Sequence, residues 1–136
     1  MGKKAKAYVD TSALIAFADR SETYHPLFRR LFAEPPELLT TTLVVAEGHG
    51  WFLKRYDRTL ALQFLAMIES MPMELVAFGP SEQTGATNLL REFSDQDLTL
   101  ADAFGLVLMK KRGVQVCWST DFHLGLTGVP LVIHQY

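Results

Sequence analysis

Short apolar runs alternate along this chain with longer stretches in which apolar residues recur at helical spacing. The short runs predict strands and the periodic stretches predict helices. Proline and glycine separate them, and Gly113 follows Lys110-Lys111-Arg112, an order typical of a helix C-terminus. We therefore expect strands at 5–9, 37–41, 73–77, 114–118 and 131–134, and helices at 11–19, 24–32, 43–56, 60–70, 81–93 and 100–112.

This alternation predicts the α/β class, with a central, mostly parallel sheet flanked by helices on both faces in three layers. The 136 residues contain no repeat or linker, and they are enough to bury a core, so we expect a single domain over 1–136. Open sheets of this kind bind ligands at the carboxyl ends of their strands, where the strand order reverses. The fold class therefore predicts the place of a functional site.

The composition excludes several classes of protein. No apolar run approaches the roughly 20 residues that a membrane span needs. A cytoplasmic location follows as the default expectation, and the lone Cys117, in an apolar run, predicts an inert core thiol in a reducing compartment. The net charge of −2 gives no bulk support for nucleic-acid binding, so such an activity must depend on local features.

Four carboxylates stand beside or inside apolar runs, in four separate parts of the chain: Asp10, Glu47, Asp102 and Asp121. An ionised acid in such a setting is costly unless something compensates its charge. If the fold gathers these acids, their mutual repulsion must raise some of their pKa values or recruit a cation. The first hypothesis is therefore a divalent-metal site.

Each acid also has a purely structural interpretation. Asp10 can cap the helix that follows it, and Thr99 with Asp102 has the spacing of a capping box. Asp121 follows Ser119-Thr120 in a segment where a turn aspartate is common. Taken one at a time, these acids do not decide between structure and function.

Glu47 is followed by Gly48-His49-Gly50 inside a predicted helix. A glycine within a helix costs about 0.5–1 kcal/mol relative to alanine. Two of them suggest either a close backbone approach or a broken helix, and the structural and functional interpretations of Glu47 stay balanced.

Taken together, the segments around the four acids resemble the motifs of the PIN-domain nucleases, in the family's order and at compatible spacing. Among PIN domains, the compact chain looks most like the VapC-type toxins of toxin–antitoxin pairs. The motifs are Tyr8-Val9-Asp10-Thr11-Ser12-Ala13-Leu14, Thr41-Thr42-Leu43-Val44-Val45-Ala46-Glu47, Asp95-Gln96-Asp97-Leu98-Thr99-Leu100-Ala101-Asp102-Ala103 and Ser119-Thr120-Asp121-Phe122-His123-Leu124.

The resemblance implies a PIN-like fold and an endoribonuclease that depends on Mg²⁺, with Mn²⁺ as a substitute. It makes Asp10 and Asp102 direct metal ligands and Asp121 a ligand either directly or through water. It makes Glu47 the residue that orients a metal-bound water or acts as a base. Residues expected to hold the carboxylates in place are Ser12 and Ser119, whereas a solvated loop is the favoured interpretation of Asp95 and Asp97.

Two features depart from the family pattern. Gly48-His49-Gly50 replaces larger helical residues, so we expect distortion of that helix near the site. Ser119 stands where a threonine is common, and His123 stands where a further acid is common. The missing acid leaves Asp121 as the sole carboxylate of its segment.

The resemblance also implies three partners: an RNA substrate with single-stranded segments, a cognate antitoxin protein and a second copy of the chain in a homodimer. A broad apolar stripe over 60–71 offers surface for such contacts beyond what a core face needs. Candidate RNA contacts, for which ordinary surface or core roles remain open, are Lys3, Lys4, Lys6, Arg20, Arg29, Arg30, Lys54, Arg55, Arg58, Tyr24, His25 and Trp51.

Two other classes compete with the nuclease interpretation. A non-catalytic module of the same fold would bind RNA or protein without cleaving it, and retention of all four acids argues against it. A doubly wound phosphoryl-transfer protein is a poorer match. A dehalogenase-like phosphatase needs an aspartate where Ser12 stands, and a response receiver needs paired early acids and a late lysine that are not found.

Overall fold

A computed structural model describes residues 6–136, which form a parallel four-stranded sheet flanked by six α-helices, and so confirms the predicted class. Within this range no helix is long and apolar enough to cross a membrane. The elements are β1 (Lys6–Val9), α1 (Thr11–Ala18), α2 (His25–Ala33), β2 (Glu37–Thr41), α3 (Thr42–Arg55), α4 (Arg58–Ser70), β3 (Met73–Val76), α5 (Pro80–Glu92), α6 (Leu100–Arg112) and β4 (Val116–Trp118), followed by 3₁₀ turns at Phe122–Gly125 and Val132–Gln135.

The prediction of a fifth strand at 131–134 is wrong. Leu131 makes an isolated parallel bridge to Cys117, and Val132–Gln135 then turns into a 3₁₀ helix. Pro130 precedes this segment and has no N–H to donate, although its carbonyl accepts a hydrogen bond from the Cys117 amide at 2.9 Å. The other four predicted strands are present with small shifts at their ends, and Ala5 of the first lies outside the described residues.

The strand order β3-β2-β1-β4 puts β1 at the centre of the sheet, with all pairings parallel. The chain runs from β1 to β2 on one side and later crosses back to place β4 on the other, so the order reverses at β1. At this point the Asp10 amide donates to the Trp118 carbonyl at 3.0 Å. The carboxyl ends of β1 and β4 therefore meet where the fold class predicts a ligand site.

Helix α6 packs against the side chain of Tyr8, which belongs to the central strand. Tyr8 of β1 is fully buried, and a Cβ added at Gly105 would lie 2.8 Å from its hydroxyl oxygen. Glycine at this position therefore lets α6 seat against β1, one turn after Asp102. Cys117 is also fully buried, which confirms its predicted place in the core, and burial raises the pKa of its thiol.

The expected distortion of α3 around Gly48-His49-Gly50 is also wrong, because α3 runs without a break from Thr42 to Arg55. Gly48 is buried where α3 crosses α4, and a Cβ added there would lie 2.2 Å from Cζ of Phe64. The glycine thus allows the close approach of two helices, which is the other explanation that the sequence left open.

Candidate active site

The four acids predicted from the sequence lie around one cleft of about 460 Å³ at the carboxyl ends of the strands. Asp10 follows β1, Glu47 comes from α3, Asp102 from the first turn of α6, and Asp121 follows β4. The remaining residues that line the cleft are Thr11, Ser12, Ile15, Gly50, Trp51, Lys54 and Thr99.

Asp10 lies at the floor of the cleft, with 7% of its surface exposed. Its Oδ2 accepts hydrogen bonds from the hydroxyls of Ser12 and Ser119, both at 2.9 Å, and a longer one from the Ser12 amide as the N-cap of α1. Burial raises the pKa of Asp10, the two serine hydroxyls oppose that rise, and the negative charge of Asp102 adds to it. Asp10 thus caps α1 and also belongs to the set of acids that line the cleft.

Ser12 and Ser119 join three segments beneath the cleft. Each hydroxyl donates to Asp10 and accepts from a backbone amide, Thr120 for Ser12 at 3.0 Å and Asp121 for Ser119 at 2.9 Å. The start of α1 and the segment after β4 are therefore fixed relative to each other through the Asp10 carboxylate.

Glu47 lies at the rim of the cleft. Its Oε1 accepts a hydrogen bond from the Thr11 hydroxyl at 2.7 Å. Partial burial is the largest cause that raises the pKa of Glu47, and the hydrogen bond from Thr11 opposes it. The negative charges of the other acids raise the pKa further; they are Asp10, Asp102 and Asp121. Sequence reasoning did not find the role of Thr11, although a hydroxyl directly after Asp10, on the first turn of α1, is the signal that could have indicated it.

Asp102 and Asp121 are each held by local hydrogen bonds. Asp102 closes the predicted capping box, with its Oδ2 accepting from the Thr99 amide at 3.1 Å. Asp121 Oδ1 accepts from the His123 amide at 3.0 Å and lies 2.9 Å from His123 Nδ1. The imidazole, standing where the family often has an acid, thus contacts the carboxylate instead of adding a negative charge.

The chemistry of this donor set suits a hard divalent cation. In the described part of the chain each of the four carboxylates uses one oxygen in hydrogen bonds and leaves the other without a protein partner. No three His, Cys, Asp or Glu side chains between residues 6 and 136 are close enough as they stand to hold an ion together. Mg²⁺ binds directly to only one or two carboxylates and reaches others through its waters, so it does not require three of them in direct contact.

Several other candidates lie elsewhere. Asp95 and Asp97 are exposed in the segment before α6 and do not line the cleft. Among the basic and aromatic candidates for RNA contact, Lys54 and Trp51 line the cleft. Arg20, His25 and Arg29 instead line a second cavity of about 480 Å³. That cavity is bordered by Phe17, Ala18, Arg20, His25, Arg29, Phe52, Leu60, Gln63, Phe64 and Met67. Lys3 and Lys4 lie outside the described residues.

Replacing Ser119 with alanine is expected to loosen the floor of the cleft without unfolding the protein. The change removes a buried hydroxyl that donates to Asp10 and accepts from the Asp121 amide, at a cost of about 1–3 kcal/mol. Chemical denaturation checks the stability, and Ser119→Thr, which keeps the hydroxyl, is the matched control. An alanine variant as stable as the parent would show that this network carries no energy.

Comparisons with known proteins agree with this geometry. The family model described as PIN domain matches residues 7–126. VapC20 of Mycobacterium tuberculosis, a toxin that cleaves the sarcin–ricin loop, has a TM-score of 0.83 at 22% identity, covering 90% of this chain and 95% of its own. No curated protein matches the sequence.

Two further structures extend the likeness of fold. VapBC2 of Rickettsia felis, bound to a DNA fragment from its promoter, gives a TM-score of 0.63 at 11% identity, over 93% of this chain and 96% of its own. A toxin–antitoxin complex from Klebsiella pneumoniae gives 0.60 at 18% identity, over 91% and 92%.

Proposed function

Because this chain belongs to the PIN domain family, we propose that it is an endoribonuclease, dependent on Mg²⁺ or Mn²⁺, that hydrolyses RNA phosphodiester bonds at the acidic cleft. One observation carries the proposal: four carboxylates from separate segments line a single cleft, each with an oxygen that no other described residue engages. The negative charges of four acids around one cleft repel RNA phosphate unless a cation neutralises them.

In this proposal Asp10, Asp102 and Asp121 hold the cation, directly or through water. When bound, the metal supplies charge neutralisation at the phosphate, activation of a water and stabilisation of the leaving oxygen. Glu47 accepts the proton of the attacking water, a role helped by its raised pKa, because a base is most effective when its pKa approaches the working pH. Ser12 and Ser119 keep Asp10 in place.

We further propose that the protein is the toxin of a toxin–antitoxin pair, acting in the cytoplasm where its RNA substrate would be. The support is the fold shared with VapC20 and with the toxin–antitoxin complex from Klebsiella pneumoniae. The second cavity, which Phe17, Phe52 and Phe64 line together with Arg20 and Arg29, suits an amphipathic antitoxin segment. Exposed leucines at 53 and 62, on α3 and α4, suit a homodimer contact.

The alternative is a PIN-fold module that binds RNA or protein without cleaving it. The capping box of Asp102 and the N-cap of Asp10 favour it, because both acids have a structural use that does not need catalysis. A cleavage assay decides between the two.

The assay incubates the purified protein with several RNAs that contain single-stranded segments, in Mg²⁺, in Mn²⁺ and with a chelator. We expect cleavage with either metal, none with the chelator, and 5′-phosphate ends on the products. Asp95→Asn, at an exposed acid outside the cleft, should cleave like the parent protein. Binding of RNA without cleavage under all metal conditions would favour the non-catalytic module.

A further inference from the structure

Gly50 has no packing reason to be glycine. It is exposed on α3, and a Cβ added there would meet nothing within 4 Å. In an unbroken helix this glycine costs about 0.5–1 kcal/mol relative to alanine. Gly48, two residues earlier, differs because Phe64 occupies the space of its missing side chain. The space left by Gly50 is therefore open and is not filled by any described part of the fold.

That space opens into the acidic cleft. Gly50 and Trp51 lie three and four residues after Glu47, and Lys54 lies four and three residues after them. The four residues therefore share one face of α3, and all four line the cleft. Gly50 and Trp51 lie about one helical turn, near 5.4 Å along the axis, beyond Glu47. The bare backbone at Gly50 thus leaves room next to the carboxylate.

The Trp51 ring is held from several sides. It makes edge contacts with Phe52 and Tyr56 at centroid distances of 4.9 and 6.1 Å. The Arg55 guanidinium lies over one face of the ring, 5.6 Å from its centroid, so a ligand must stack on the other face. A ring fixed in this way loses little conformational freedom when a planar ligand stacks on it. Lys54 is the single Lys or Arg among the described residues that line the cleft.

We propose that this face of α3 is a nucleotide subsite, in which an unpaired base of single-stranded RNA stacks on Trp51, its backbone passes over Gly50, and a phosphate contacts Lys54. An aromatic ring beside a cation is the pairing that proteins use for single-stranded nucleic acid without reading sequence. An RNA strand is favoured over a peptide because its bases offer flat faces to Trp51 and its phosphates a charge to Lys54. The inference rests on the proposed ribonuclease function and assigns three residues of α3 to contacts with the substrate.

Gly50→Ala provides the sharpest test, since it is expected to strengthen the fold and weaken RNA binding at once. Binding is measured by the fluorescence anisotropy of a labelled ten-nucleotide single-stranded RNA of mixed sequence, with Mg²⁺, in a Glu47→Gln background that prevents cleavage. We expect a higher melting temperature and roughly 10-fold weaker binding, because the added methyl group occupies the path of the backbone. Gly85→Ala on α5 is the matched control. Its Cβ would meet only Val107 at 3.9 Å, and it should leave RNA affinity unchanged.

Trp51→Leu and Lys54→Ala test the other two contacts. Loss of one stacked base predicts roughly 5- to 100-fold weaker binding for Trp51→Leu, with partial recovery in Trp51→Phe, which keeps an aromatic face. Lys54→Ala should reduce the salt dependence of binding as well as the affinity. Either change should have little effect on the binding of a perfect duplex of the same sequence, because its bases are already stacked on one another.

The outcomes separate this inference from the proposed function. If the parent cleaves RNA but Gly50→Ala and Trp51→Leu bind it as tightly as the parent, the subsite is wrong and the nuclease proposal stands. If the parent binds RNA through Trp51 but never cleaves it, the subsite stands and the nuclease proposal fails. If Glu47→Gln binds no RNA, or if these variants weaken only binding to a protein partner, the subsite is overturned.

Discussion

Asp10→Asn is expected to abolish RNA cleavage and to make the metal-free protein more stable. The change keeps the shape of the side chain and its capacity to accept from Ser12 and Ser119, but it removes a buried negative charge beside Asp102. Loss of one carboxylate that holds the metal weakens the neutralisation of charge at the phosphate, which predicts a decrease of at least about 100- to 1000-fold in cleavage rate. Relief of the burial cost should raise the melting temperature by a few degrees, about 2–8 °C for each kcal/mol.

The stabilisation has a definite dependence on pH. The pKa of Asp10 in the folded protein is raised above its ordinary value of 3.8, so the folded chain binds more protons than the unfolded chain in the pH range just above that value. The free energy of unfolding of the parent therefore falls as pH rises through this range, and the penalty is complete above the folded-state pKa. The stability difference between Asp10→Asn and the parent should vanish below about pH 4 and reach its maximum near neutral pH.

Urea unfolding of both proteins with a chelator, across pH 3–8, measures this difference, and a cleavage assay at neutral pH measures the activity. Asp95→Asn is the matched control, because its carboxylate is exposed and lies outside the cleft. Equal activity in Asp10→Asn would refute its assigned role. A variant less stable than the parent at neutral pH would show that the hydrogen bonds of the carboxylate outweigh its repulsion from the other acids.

The fold could be predicted from the sequence wherever the spacing of apolar residues agrees with the positions of proline, glycine and helix-capping residues. Helix α6, for example, begins and ends at the predicted residues, because Thr99 with Asp102 caps its start and Gly113 ends it in a left-handed conformation. The prediction of a strand after Pro130 failed because it depends on tertiary structure. An apolar run predicts burial, but the short β4 beside it leaves little edge for a further strand to pair with.

The sequence predicted which acids line the site, but it did not predict several of the hydrogen bonds that these acids make. The fold class brings the ends of β1 and β4 together, so Asp10 and Asp121 were expected at one edge of the sheet, and both line the cleft. The contact of Thr11 with Glu47 and that of Asp121 with His123 depend on side-chain directions, which spacing alone does not give. The metal-binding and catalytic roles of the four acids remain a proposal that Asp10→Asn tests.

Gly48 also shows that tertiary contacts cannot be read from spacing. The sequence indicates a glycine that weakens a helix, but it does not indicate that the Phe64 ring occupies the space of the missing side chain. Phe64 is 2% exposed and stacks on Phe52 with centroids 5.2 Å apart, so a shift of its ring toward the cavity that it borders would disturb this stacking. A methyl group at residue 48 would lie 2.2 Å from Cζ and 2.6 Å from Cε1 of this ring, so either the ring would have to shift or α3 and α4 would have to separate. Separation of these helices would also displace Glu47, the residue before Gly48.

We therefore expect Gly48→Ala to destabilise the protein by about 1–3 kcal/mol, even though alanine favours a helix by about 0.5–1 kcal/mol. Gly50→Ala, on the same helix, should have the opposite sign, so chemical denaturation of the two variants separates helix propensity from packing. Phe64→Leu should cost less stability in the Gly48→Ala background than in the parent, because the smaller side chain relieves the overlap. If Gly48→Ala were as stable as the parent, or if the two changes were additive, α3 and α4 would not be in the contact described. The position of Glu47 would then need another support.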